Sequence, residues 1–279
     1  MRIQAERVEF SEIADLREGL RSEAQCQIVR DSILSRGLAD PYLIRASESV
    51  AGYGGVWNEH FPNRIMEFFV AAEFRHAASD FFLALIDASH ASHAEAQTNL
   101  DLQYRMIRAH VRDPTSENIL FGDGPNTALT LTDVIFRARS PSDLGPGGEW
   151  VAERSGEVVG AGGLLHHYNP PFADLFMEVV PTARGLGIGS FLVQELRRVC
   201  RELGKTPAAR CDPENHASRR ALERGGLVAV GQIVAGPIVG DTRRRTPSVV
   251  SGSGGRRQDT RDTQADPERG RRGPHFDGR

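Results

Sequence analysis

The sequence predicts a mixed α/β protein built as two tandem lobes with a dissimilar tail. Three observations lead there. A length of 279 residues exceeds one ordinary domain of ~100–200 residues and suggests two. Two segments share one plan, an apolar strand, a short polar turn and an amphipathic helix: RIMEFFVAAEFRHAASDFFLAL (64–85) and ADLFMEVVPTARGLGIGSFLVQ (173–194). Setting Arg75 on Arg184 also sets Phe82 on Phe191 and Leu83 on Leu192, as a tandem duplication would. Finally, from Asp241 the chain turns into a polar, Arg-rich stretch with almost nothing to bury. Such a stretch cannot recover the ~1–2 kcal/mol per residue of backbone entropy that ordering costs, so 241–279 is expected to be a disordered tail. The expected division is 1–125 for the first lobe and 127–240 for the second, with the Gly/Pro-rich FGDGPNTALT (121–130) as junction.

The second lobe can be read element by element. Glu149–Arg154 and Glu157–Leu165 flank Ser155-Gly156, a hairpin signal. HHYNPPF (166–172) is a loop, because Pro170-Pro171 cannot join a ladder. Ala173–Val180 is the next strand. Ser190–Leu203 places apolar residues at 191, 192, 196, 199 and 203, one helical face, and Gly204 ends it. A short strand (Pro207–Cys211), a helix (Asn215–Arg224) and a last strand (Gln232–Val239) follow.

Composition narrows the function classes. No apolar run approaches the ~18 residues that cross a bilayer, so no membrane partner is expected. The opening MRIQAERVEF lacks an apolar core and a small-residue cleavage site, so no secretory signal is expected. A net charge of −3 gives no basic field for nucleic acid, and acids dilute the arginines of the tail. Three cysteines without CxxC spacing argue for a reducing, cytoplasmic setting and against a disulfide framework or structural zinc.

Chemistry concentrates in VVPTARGLGIGS, between a buried strand and a helix. Gly185, Gly187 and Gly189 let backbone approach a ligand, because no Cβ intervenes. Their amides, with those of Ile188 and Ser190, sit where orphan donors and the helix dipole favour an anion, and Arg184 adds a fixed charge. A phosphate or pyrophosphate suits this loop. No lysine follows the glycines, so it is not a P-loop. Ser190 stands where a dinucleotide fingerprint needs its third glycine, and Glu202 falls inside the helix.

The spacing Val179-x-Pro181-x-x-Arg184-x-x-Gly187-x-Gly189 resembles motif A of the GNAT (Gcn5-related N-acetyltransferase) superfamily. Asn215-x-x-Ser218 followed by Gly226-Leu227 resembles its motif B. The resemblance covers roughly 148–239, and the first half more weakly through the repeat. It implies a GNAT-like fold with a splayed central sheet and acetyl-CoA as cosubstrate in the cleft, with no metal. It also implies pantetheine along Glu178, Val179 and Val180, pyrophosphate on the Arg184–Ser190 amides, and Asn215 and Ser218 facing the thioester end. The implied activity is transfer of acetyl to an amine of a small molecule or a protein. The alternative is a non-catalytic acyl-CoA-binding or regulatory module.

Two departures bear on activity. Where many members carry a tyrosine as acid for the leaving thiolate, this chain has Leu222. In the first lobe Ala78 and Asp80 replace Gly187 and Gly189, and a carboxylate there would repel phosphate, so that lobe is expected to pack and shape the acceptor pocket. The attacking amine must lose a proton. Strand alternation groups Asp174, Phe176, Glu178 and Val180 on one face, and Glu178, nearest the expected thioester, is the first candidate base. Asp174, His166 and His167 come next. Cys211 is read as a core residue.

Overall fold

A computed structural model describes residues 2–24, 31–166 and 170–239. The tail expected from 241, His167 and Cys26 lie outside the described residues. The first half runs β1 (Ile3–Arg7), α1 (Ala14–Glu23), α2 (Asp31–Ser35), β2 (Ala39–Ala46), β3 (Ser49–Trp57), β4 (Arg64–Val70), α3 (Ala78–Ser89), β5 (His93–Gln97) and α4 (Asp101–His110). After β6 (Thr115–Asp123) come β7 (Val134–Ala138), β8 (Trp150–Arg154), β9 (Glu157–Leu165), β10 (Phe172–Val179), α5 (Ile188–Glu202), β11 (Thr206–Cys211), α6 (His216–Arg224) and β12 (Leu227–Pro237).

Local chemistry explains several of these boundaries. Ser155 (φ 53°) and Gly156 (φ 82°) form the left-handed pair that a two-residue hairpin between β8 and β9 requires. Gly204 (φ 67°) stops α5 in the left-handed conformation that glycine adopts without strain. Leu192, Val193 and Leu196 are fully buried on the sheet-facing side of α5. Each contributes ~1.5–3 kcal/mol by leaving water.

One sheet runs through both lobes, in the order β1-β2-β3-β4-β5-β12-β6-β11-β10-β9-β8-β7. Each lobe contains one short parallel pairing that then opens. In the second lobe β10 and β11 are in register only from Phe172↔Thr206 to Asp174↔Ala208, although β10 continues to Val179. In the first, β4 and β5 pair only at Arg64↔His93 and Ile65↔Ala94. Beyond these points the strands diverge and leave backbone edges open.

The middle of the sheet is exchanged between the lobes. β6 lies in the segment 1–125 expected for the first lobe, yet it pairs antiparallel with β11 of the second, from Ala208↔Gly122 to Cys211↔Ile119. β12, the last strand, pairs antiparallel with β5 of the first lobe and with β6. The chain division between 125 and 127 therefore separates segments rather than halves of the sheet, and the chain up to Gly240 is one compact unit. The crossing after β6 is clamped to α5. Buried Arg197 donates to Asp123 Oδ1 (2.8 Å) and to the carbonyls of Gly124, Pro125 and Gly225, and Arg201 adds two bonds to Asp123.

Candidate acyl-donor site and acceptor face

The strand-to-helix loop is built to present amides. A turn of 3-10 helix, Pro181–Ala183, carries the chain off β10, with its backbone bonds closing on Val180 and Pro181. Gly185 (φ 81°) and Gly187 (φ 84°) then adopt left-handed backbone conformations. Gly187 is the N-cap of α5 and no side chain caps this end. The first intrahelical bond from this end is donated by Phe191 to Gly187 O, so the amides of Ile188, Gly189 and Ser190 have no helical acceptor. At Gly189 an added Cβ would come 3.4 Å from Ala221 Cβ, an ordinary contact, so only a side chain longer than alanine would crowd α6.

These amides floor a cavity of about 540 Å³ between the diverging strands, walled by β10, the loop, the start of α5 and α6. Glu178, Val179, Arg184, Gly185, Gly187, Ile188, Gly189, Ser190, Asn215 and Ser218 all line it, joined by Met177, Arg220 and Arg224. Its charge is mostly positive, three arginines against Glu178 at its edge. Arg184 donates through Nε to Val179 O (3.2 Å), and among the described residues neither it nor Arg220 or Arg224 has a carboxylate partner. Three unneutralised guanidinium groups around an amide-lined cleft suit a polyanion.

Residues 119–226 match the Acetyltransferase (GNAT) family. The matched stretch runs from within β6 to just past α6 and contains the whole cleft. No curated protein matches the chain in sequence. Among solved structures, an acetyltransferase of the GNAT family from Colwellia psychrerythraea superposes with a TM-score of 0.69 at 14% identity, over 85% of this chain and 100% of the other. A GCN5-related N-acetyltransferase from Sphaerobacter thermophilus gives 0.55 at 15% identity, over 84% and 94%. A tandem GNAT protein from the clavulanic acid biosynthesis pathway gives 0.51 at 11%, over 85% and 98%. At these identities the likeness is one of fold, and it extends over both lobes.

Within the second lobe, most residues singled out from sequence converge on the cleft, and one does not. Val180 is outside the lining. Its N–H donates to Val159 O (3.0 Å) and its carbonyl accepts from Ala183 (3.0 Å), so its backbone is already committed. Alternation of antiparallel bonding then turns the backbone groups of Met177 and Val179, not of Glu178 and Val180, toward the open edge. Asn215 caps α6 by accepting from Ser218 N (3.0 Å). Leu222 is 3% exposed and packs in the core beside Val193 and Leu227, facing away from the cleft, and among the described residues no tyrosine lines the cavity.

The opposite face of β10 carries the candidate bases. Glu178 is exposed, reaches the cleft edge, and has no ion-pair partner among the described residues. Asp174, at the last registered pair before the strands part, is 4% exposed. Burial pushes its carboxyl up to about 6, against the opposing pull of Arg210, 3.2 Å away. Its environment depends on strand divergence and neighbouring layers, which sequence spacing does not reveal. His166 is exposed in the loop after β9. Burial raises the Cys211 thiol, which keeps it protonated and supports the core reading.

At the matching place the first lobe is built differently, around a cavity of about 610 Å³ lined by Phe69, Arg75 and Asn99. Its strand-to-helix segment is a 3-10 helix, Ala72–Ala77, running straight into α3, and Ala78 is right-handed (φ −54°) where Gly187 is left-handed. The repeat sets Phe69 on Glu178, and Phe69 is buried in the core. It sets Glu67 on Phe176. Glu67 is sealed by α1 through Arg17 (2.5 Å) and accepts from Tyr53 (3.0 Å). The second lobe has no helix in that place, because the chain from β6 to β7 runs along α5 instead, exchanging bonds between Leu129 and Gln194 (2.7 and 3.0 Å).

Proposed function

We propose that the protein transfers an acetyl group from acetyl-CoA to an amine, using the second lobe alone. The observation that carries this reading is the cleft between β10 and β11, with its uncapped α5 amides and three unneutralised arginines. Positive-φ glycines leave the amides open to a diphosphate, and the free edge of β10 offers Met177 and Val179 to the amides of a pantetheine arm. The bound cosubstrate supplies an activated thioester. Asn215 and Ser218 line the wall on α6 near its end.

The chain's own task is proton management and positioning. An amine attacks only as its free base, and Glu178, unpaired at the cleft edge, takes that proton directly or through one water. The thiolate is a fair leaving group (thiol pKa ~8.5), so its departure does not require a tyrosine. A soluble small molecule or a protein amine fits as acceptor, with a cytoplasmic setting. Leu222, buried at the position where the resemblance expects a tyrosine acid, favours a second reading, a module that binds acyl-CoA without turnover. Measuring free thiol released from acetyl-CoA with a panel of amines, beside calorimetry of CoA binding, separates the two. Binding with no thiol release from any amine would establish the module.

A further inference from the structure

The two sides of the splay carry opposite charge. The cleft side has Arg184, Arg220 and Arg224. On the other side β8, β9 and β10 have no covering helix among the described residues, and their register sets Phe176 opposite Gly163 and Trp150 opposite Gly162. Glu149, one residue before β8, therefore lies level with Gly163. A Cβ on Gly163 would collide with both the Glu149 carboxylate and the Phe176 ring, so the missing side chain lets the carboxylate lie over β9 close to the ring. Phe176 is 37% exposed, high for an aromatic in mid-strand. Glu149 and Glu178 are exposed carboxylates without a partner among the described residues. Below them on the same face Asp174 is buried, and its Oδ1 makes no hydrogen bond.

We propose that this face holds an acceptor with two positive charges, its reacting amine beside Glu178 and its second ammonium on Glu149, across the Phe176 ring. The proposal rests on the acetyl-transfer reading for the identity of the reacting end. An aromatic face flanked by carboxylates attracts an alkylammonium through both cation–π and ionic terms. Two strand spacings and two residue rises put the Glu149 and Glu178 Cα atoms about 12 Å apart. With both side chains turned inward, that span fits a diamine with a spacer of about four to six carbons.

The test compares 1,5-diaminopentane with pentylamine, by calorimetry and by turnover with acetyl-CoA. The diamine should bind at least ~10-fold more tightly, and Glu149→Gln should bring the two within ~2-fold while acetyl-CoA affinity stays unchanged. Glu149→Asp, one methylene shorter, should shift the preferred spacer upward by about one carbon, an effect that a merely structural role would not produce. Equal binding of diamine and monoamine to the wild type, or equal losses for both in Glu149→Gln, would overturn the proposal. If the diamine binds through Glu149 but no amine releases thiol, the acceptor site stands and acetyl transfer falls. If monoamines turn over as well as diamines, transfer stands and the two-charge acceptor falls.

Discussion

Asp174 and Glu178 share a face of one strand, yet their surroundings differ: one is sealed at the root of the splay, the other open at its mouth. Their variants should separate accordingly. Glu178→Gln preserves shape while removing basicity, so kcat should fall ~10²–10⁴-fold with CoA affinity unchanged, and the pH–rate limb reporting loss of the base's proton should vanish. An unaltered rate would pass the role to Asp174. Asp174 itself is a stability matter. Its pKa rises from 3.8 unfolded to about 6 folded. Between those values the native state holds the extra proton, so stability declines as pH rises through that window and then levels. Asp174→Asn does not titrate. Its stability relative to the wild type should improve by up to roughly 3 kcal/mol between pH 3 and 7, read from denaturant midpoints. A constant difference would show that the carboxyl is not desolvated.

At the scale of elements, the loop before α5 is where sequence and structure agree most closely. Three alternating glycines and an arginine define a conformation that few residue types can adopt, so the local sequence is nearly sufficient. Gly187→Asp should abolish CoA binding, since it adds a like charge to the phosphate site and a side chain at φ 84°. Gly189→Asp should do the same through charge and by crowding α6. Calorimetry of the wild type should give one site per chain, and two would mean that Asp80 does not disable the first lobe. The second-lobe strands and helices were also legible, because hairpin glycines, helix caps and a 3.6-residue apolar period are local signals. What stayed hidden depends on neighbours. Leu222 matches a motif position, but the rotation of α6 turns it into the core. Val180 shares the alternation of Glu178, but its backbone is consumed by β9. Glu149 carries no motif, and only the register of three strands brings it to Phe176.

For the whole molecule, the repeat announces two lobes but cannot announce the exchange of β6 and β12. Apolar patterns tell that a strand is buried, not which partner buries it. A fragment spanning 127–240 carries every residue assigned to the cleft, yet it lacks β5 and β6, which flank β12 on both sides. It should fail to give a cooperative melt or bind CoA, whereas residues 1–240 should do both. A folded, CoA-binding fragment would show that the exchange is dispensable.

β12 is hydrogen-bonded on one edge to the first lobe and on the other to β6, which in turn holds β11. Opening either lobe by itself would strip one ladder from a strand that the other still needs, so neither can breathe alone at low cost. In deuterium, the amides of Ile233, Val234 and Ala235 should be among the last to exchange, at a rate set by unfolding of the whole unit. The cleft in the second lobe would then be held rigid by the first, which gives the first lobe a mechanical job.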